Sequence, residues 1–214
     1  MSILGTRVLR TEDPRFLTTG AVYTEDVQDV RLTGACYVHF VRSTVAHAKI
    51  SSIDVGAAEE ADGVVAVFTG ADLAEAGVGP ARPMMPSMNQ HMVQDLLAVN
   101  VVRFVGEPVA AVVTEEPYQG EDAIELVDVD YEPLPAVVDL GDALTGERGL
   151  LFAEAGTNVV ARFGDEARLS PGLFEGCDVV VSETIRNNRV APAPMETRAA
   201  AAVWGEDGRL TACP

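Results

Sequence analysis

Lysine is nearly missing from this sequence. Lys49 is the single copy among 214 residues, and every other cation is arginine. Schiff-base or carrier chemistry on a lysine is therefore confined to Lys49, which sits in an Ala-His-Ala-Lys-Ile stretch that reads as strand. Cysteine is scarce too. Cys36, Cys177 and Cys213 are odd in number and far apart, which argues against a disulfide framework and fits a reducing cytoplasm. No apolar run approaches the roughly 18 residues a spanning helix needs, so no membrane insertion is expected. The opening Met1-Ser-Ile-Leu-Gly-Thr-Arg7 lacks the apolar core and small-residue cleavage site of a signal peptide. Positive charge is outweighed: 33 Asp and Glu against 15 Lys and Arg leave a net charge of -18. Such a surface repels phosphate backbones and anionic lipid, so nucleic acid is not an expected partner.

Stand-alone catalytic motifs are also absent. There is no Gly-x-Ser-x-Gly elbow, no P-loop and no Gly-x-Gly-x-x-Gly. His39, His47 and His91 are not at helical metal spacing. Cys36-x-x-His39 lacks a second pair at finger spacing, and in a strand its two members point to opposite faces, which argues against zinc. Asp13, Glu25, Asp26, Glu107 and Glu196 are the carboxylates considered for acid–base work. Each needs burial or a like-charged neighbour to be tuned for it, and the simpler reading is solvated or salt-bridged side chains. Glu196 and Arg198, two apart, share a face if their stretch is a strand.

An apolar fraction of 48% is ample for a core. Residues 5–30 read as an irregular arm. Strands are expected over 35–41, 48–53, 64–68, 96–104 and 108–114, with a turn at Gly106. Asp54 is expected to cap a short helix through Ala61 that Gly63 stops, and residues 71–76 form a helical turn. Thr114 is expected to cap a helix with Pro117 in its first turn and Gly120, Ala123, Ile124 and Val127 on its core face. A strand over 127–131 ends at Pro133 and Pro135. The stretch 77–95 holds Pro80, Pro83, Pro86 and Met84, Met85, Met88, Met92, which predicts a long loop. Its thioethers suit soft metals such as Cu(I), but adaptable apolar packing is the simpler reading. A Gly-rich connector is expected over 140–175, a long alternating strand over 178–186, and a hairpin from 199–204 to 210–213 through Glu206-Asp207-Gly208. Strands and short helices mixed without a βαβ repeat predict an α+β fold.

Several segments, in order, carry a resemblance. They are Arg10-Thr-Glu-Asp-Pro-Arg-Phe-Leu-Thr-Thr-Gly20, Tyr23-Thr-Glu-Asp26, Phe40-Val-Arg-Ser43 and Ala46-His-Ala-Lys-Ile50 with Ile53-Asp54. Gly63 to Asp72 and Val102-Arg-Phe-Val-Gly-Glu-Pro-Val-Ala-Ala-Val-Val113 follow. Asp122-Ala123, Val129 to Pro135, Val138-Asp139, Gly164-Asp165 and Pro194-Met-Glu-Thr-Arg198 complete the series. Together they resemble the amino-terminal region of the molybdopterin-binding large subunits of the xanthine dehydrogenase, aldehyde oxidase and aerobic carbon monoxide dehydrogenase family. Thr44 and Val45 depart from the usual Arg-Ser-Pro-His-Ala-His-Ala, and Ala21 stands where a second glycine is common.

The resemblance implies an arm over 1–14, an α/β hammerhead domain over 15–139, a connector over 140–175 and the first strands of a truncated molybdopterin-binding domain over 176–214. It implies an oxidoreductase assembly in the cytoplasm that uses a molybdenum cofactor and water as oxygen source. Its iron–sulfur clusters lie on a small subunit and its FAD on a medium subunit. In the family, a cofactor-facing Gln follows the strand resembling Leu210-Thr211. The Gly-rich Phe loop and the base Glu come later. The expectation is therefore that no catalytic, cofactor-binding or metal role falls on a residue of this sequence, and that its residues supply scaffold and contacts to the remaining part of the large subunit. The alternative is a stand-alone binding module that reuses the hammerhead. Lipoyl and biotinyl carriers have a similar fold, but Lys49 lacks their Met-Lys-Met or Asp-Lys-Ala setting.

Overall fold

The computed structural model describes residues 5, 10–20, 22–163, 172–188 and 190–213. The positions of Ala21 and of Gly164-Asp165 lie outside the described residues. Two compact units are distinguished, Cys36–Val180 and Met1–Ala35 with Val181–Pro214.

The Cys36–Val180 unit is α+β and built on two three-stranded antiparallel sheets. Its elements follow one another in the order β1 (Tyr37–Arg42), β2 (Ala48–Asp54), α2 (Gly56–Glu59), β3 (Val64–Thr69) and α3 (Gly70–Glu75); then β4 (Val101–Val102), β5 (Pro108–Thr114), α4 (Pro117–Ile124), β6 (Asp128–Pro133) and α5 (Leu140–Thr145), with α1 (Asp13–Thr18) belonging to the other unit. One sheet has the order β1-β5-β3 and the other β4-β2-β6. Most of the expected elements are in place within a residue or two of their expected bounds.

The sheets are held by two apolar clusters. Ala58, Val67, Ala110, Val112, Ala123 and Val127 pack α2 and α4 onto one face of β1-β5-β3. Ala48, Ala98, Val102 and Val109 form the second, and Val41 and Val129 border both. Alternation along β5 explains the division, because Ala110 and Val112 point one way and Val109 the other. The small residues on this face allow α4 to lie close. A Cβ on Gly120 would fall inside the His39 imidazole, so glycine is required there by contact rather than by backbone angle.

Four expectations need correction. The helix at 117 is capped by Glu116 and Gln119, not by Thr114; the Glu116 amide donates to Gln119 Oε1 at 2.9 Å. Thr114 is wholly buried, and its hydroxyl donates to the Glu116 carbonyl at 2.9 Å. The strand over 96–104 shrinks to β4, because the chain bends where the Ala98 amide turns aside to donate to the Pro108 carbonyl. The connector holds a real helix, α5. Asp139 Oδ1 accepts from the Gly141 amide at 2.7 Å, and Gly146 ends the helix with φ +72°. The segment 178–186 is not a strand. Its Val179, Val181 and Ile185 are 78%, 83% and 87% exposed, and alternation without a neighbouring strand gives no ladder.

In the other unit the arm is less irregular than expected. Pro14 sits in the first turn of α1, where its missing amide hydrogen costs nothing. Short 3₁₀ turns follow at Thr24–Asp26 and Val30–Leu32. The expected hairpin is present as β7 (Ala201–Trp204) and β8 (Leu210–Cys213), paired antiparallel from Ala201 with Cys213 to Trp204 with Leu210. Trp204, the only tryptophan, is 70% exposed.

Candidate functional site

The Val102–Val113 segment turns back on itself between β4 and β5. Gly106 takes φ +92°, which a side chain would strain, and so places Glu107 beneath its own turn. Glu107 is only 3% exposed, and Ser43 beside it is 2% exposed. The Glu107 carboxylate accepts from the Arg103 amide, and the Phe104 amide adds a second bond. Backbone bonds close the arrangement: the Ser43 amide donates to the Glu107 carbonyl at 2.8 Å, and the Gly106 amide to the Ser43 carbonyl at 2.8 Å.

Burial pushes the Glu107 carboxyl above its usual range, with Asp95 adding to the shift; the Arg103 and Phe104 amides and the Arg103 charge oppose it. Burial likewise raises the Tyr131 phenol against a hydrogen bond with Ser43, and the nearby Glu107 charge adds to it. A raised carboxyl is a feature of general acids. Glu107 lines neither of the two clefts described below. Its carboxylate and backbone bonds tie the 103–107 turn to Ser43.

Arg103 carries that turn outward. Its Nε donates to the Leu151 carbonyl at 2.9 Å, its Nη1 to the Val101 carbonyl at 3.3 Å, and its guanidinium lies 4.3 Å from the centre of the Phe152 ring. Asn158 ties the same segment, donating to the Gly149 carbonyl and accepting from the Leu151 amide, both at 2.9 Å. The Asn89 amide from the methionine loop donates to the Val160 carbonyl at 2.7 Å. Sequence reading missed this clasp, because the pairing of Arg103 with residues 48 positions away has no local signal.

The other candidates lie apart. Asp13 is in α1, and Glu25 and Asp26 are exposed. Glu196 Oε1 accepts from the Thr24 amide at 2.9 Å and from its hydroxyl at 3.2 Å, so it engages Thr24 rather than Arg198. Cys36 is exposed, while His39 turns toward α4 with Nδ1 3.5 Å from Glu121 Oε1, so the two do not share a site. Lys49 lies within β2, the central strand of its sheet, 3.3 Å from Glu132 Oε1, not on a hairpin tip. In the methionine loop Met84 is 95% exposed and Met92 is buried, and the loop is closed by a bridge between Ala81 and Gln94.

An apolar cleft of about 260 Å³ lies among Leu73, Val78, Pro80, Leu97 and Val99. A more open, polar one lies among Ser87, Asn89, Thr157 and Arg162. Among the described residues no three His, Cys, Asp or Glu side chains converge to hold a metal ion, and no helix is long and apolar enough to cross a membrane.

Residues 18–135 match the family model described as aldehyde oxidase and xanthine dehydrogenase, a/b hammerhead domain, and residues 151–213 match the molybdopterin cofactor-binding domain. The chain is 39% identical over 211 residues to the nicotine 6-hydroxylase large subunit of Paenarthrobacter nicotinovorans, covering 96% of itself and 25% of that protein. It is 37% identical over 215 residues to the carbon monoxide dehydrogenase large chain of Afipia carboxidovorans, covering 91% and 25%. Among solved structures, quinoline 2-oxidoreductase from Pseudomonas putida 86 superposes with a TM-score of 0.78 at 37% identity, over 96% of this chain and 26% of that one. The chain thus spans about a quarter of the length of the curated relatives it matches. Two family models matched in sequence order along one polypeptide, with the sheets and hammerhead core that the first implies, leave one conclusion: the chain belongs to the aldehyde oxidase and xanthine dehydrogenase family, of which it carries the α/β hammerhead domain.

Proposed function

We propose that these 214 residues are the amino-terminal part of the molybdenum-cofactor-binding large subunit of a molybdenum hydroxylase. Such an enzyme is an oxidoreductase acting on aldehyde, N-heterocycle or carbon monoxide-type substrates, with water as oxygen source. The observation that carries the reading is the order of the two matches, hammerhead at 18–135 and molybdopterin-binding at 151–213. In this reading residues 1–14 are an arm, 15–139 the hammerhead, 140–175 a connector and 176–214 the start of the cofactor domain. The assembly is cytoplasmic, with iron–sulfur clusters on a small subunit and FAD on a medium subunit.

The residues described do not by themselves fit a molybdenum–pterin group. The 178–186 segment is exposed, and among the described residues no three His, Cys, Asp or Glu side chains converge. In this reading no catalytic, cofactor-binding or metal role falls on a residue of this stretch. The contribution of this stretch is scaffold: a folded hammerhead, the Arg103–Phe152 clasp, and a β7–β8 hairpin with free edges for further strands.

The test uses the chain with a separately produced polypeptide corresponding to the remaining three-quarters of a large subunit. Trp204 fluorescence should shift to the blue as β7 is covered, and molybdenum should be retained by the pair but not by the chain alone. Full turnover of an aldehyde or purine by the isolated chain would overturn the proposal.

A further inference from the structure

A two-stranded hairpin standing alone in water is marginally stable, because one ladder of backbone bonds barely offsets the ordering of both strands. The β7–β8 hairpin is such a ladder, four residue pairs long, and needs packing from elsewhere in the chain. Burial along β7 shows where that packing falls. Ala201 and Val203 are half-buried, while Ala202 and Trp204 are exposed. Alternate residues of a strand share a face, so one face of β7 is covered and the other is open. Besides β8, β7 packs against the Val30–Leu32 turn. Within that turn Val30 is 86% exposed and Leu32 is half-buried, so Leu32 is the side chain turned toward the strand.

A second tie lies nearby in sequence on both sides. The Thr24 amide and hydroxyl both donate to Glu196 Oε1, at 2.9 and 3.2 Å, between residues 172 positions apart. The turns themselves are locally braced. The Tyr23 amide donates to the Asp26 carboxylate at 3.3 Å, and the Arg31 amide to the Asp29 carboxylate at 2.9 Å. Both ends of the 24–32 stretch are therefore held to the 196–203 stretch. Sequence extent and packing disagree at this place. The hammerhead match begins at residue 18, yet the chain up to Ala35 falls in one compact unit with residues 181–214, and the Cys36–Val180 unit starts after it.

We propose that residues 24–32 are a strap that stabilises the β7–β8 hairpin, with Glu196 as its positioning residue, and that the Cys36–Val180 unit is inserted in the chain between the strap and the hairpin it supports.

The test is hydrogen exchange on the full 214-residue chain, with the β5 amides reporting on the hammerhead. Glu196→Ala should speed exchange of the Thr24 amide and of the β7–β8 ladder about fivefold or more while β5 stays protected, because hydrogen bonds to a charged acceptor are the stronger ones. Glu196→Gln keeps an acceptor oxygen and should recover most of that protection. Leu32→Ala leaves the Glu196 bonds in place and should loosen the same ladder from the other tie. A ladder as protected in Glu196→Ala and Leu32→Ala as in the wild type would overturn the proposal, as would a wild-type ladder with no protection at all. Loss of β5 protection in step with the ladder would assign the strap to the hammerhead instead, and no recovery in Glu196→Gln would remove the positioning role of Glu196.

Discussion

Replacing Gly120 with alanine tests the contact between α4 and β1 most directly. Two opposing effects can be estimated. Alanine in a helix interior is favoured over glycine by about 1 kcal/mol, and Gly120 has a helical backbone that alanine accepts without strain. Against this, the new methyl would meet the His39 ring, which is held at 17% exposure between β1 and the Glu121 carboxylate. Forcing one carbon into a filled site costs about 1–3 kcal/mol. The expected net effect of Gly120→Ala is therefore a destabilisation of roughly 1 kcal/mol. In a His39→Ala background the obstruction is gone and only the propensity gain remains, so the same substitution should stabilise by about 1 kcal/mol. The assay is urea unfolding of the four chains of the double-mutant cycle, with unchanged slopes as the check on two-state behaviour. A change of sign between backgrounds supports the reasoning. If Gly120→Ala stabilises both backgrounds equally, the close approach of His39 to α4 does not limit this position.

Arg103→Ala should remove a charge-assisted bond to the Leu151 carbonyl and the stack on Phe152, together about 2–4 kcal/mol of local stability; hydrogen exchange of residues 149–158 should speed up while the β2–β6 ladder stays protected. Glu107→Gln should flatten the pH dependence of stability. Because burial raises the folded-state carboxyl above its usual 4.5, the folded chain takes up a proton more readily than the unfolded one. The stability due to protonated Glu107 is present below pH 4.5 and is lost as pH rises through the folded value. The wild type should thus weaken relative to Glu107→Gln on going from acid to neutral pH, and parallel curves in thermal melts across that range would refute the assignment. The Arg31 guanidinium, 2.6 Å from Asp29 Oδ2, holds that carboxyl at about 2; in Arg31→Ala its NMR titration should move up toward 3.8, with little effect on melting, since exposed pairs contribute little.

Much of the hammerhead was legible because its signals are local. Alternation at 48–53, the apolar run at 108–114, the Pro117 turn and the 3.6-residue spacing after it each reside within a few residues. Asp54 falls one residue outside the cap position, which is Val55, though its carboxylate accepts from the Gly56 amide at 3.0 Å. The helix at 140–145 was missed although its Asp139 start and Gly146 stop stand in the sequence, because the surrounding glycines read as connector. The strand at 178–186 was over-read, because periodicity describes a side chain's direction and says nothing about whether a partner strand exists.

The candidate site behaved differently. The Val102–Val113 string marked the family, but nothing in it says that Glu107 is buried while Glu25 and Asp26 are exposed. That depends on Ser43, just past the end of β1, and Tyr131 in β6, which meet Glu107 only after the chain folds. The sequence alone determined the element pattern, the acidic surface and the family, since each is a property of residue order and count. The tertiary structure decided which carboxylate is enclosed, that Arg103 reaches Phe152, and that Gly120 lies against the His39 ring. These are relations between residues tens of positions apart, and only strand register and packing bring them together.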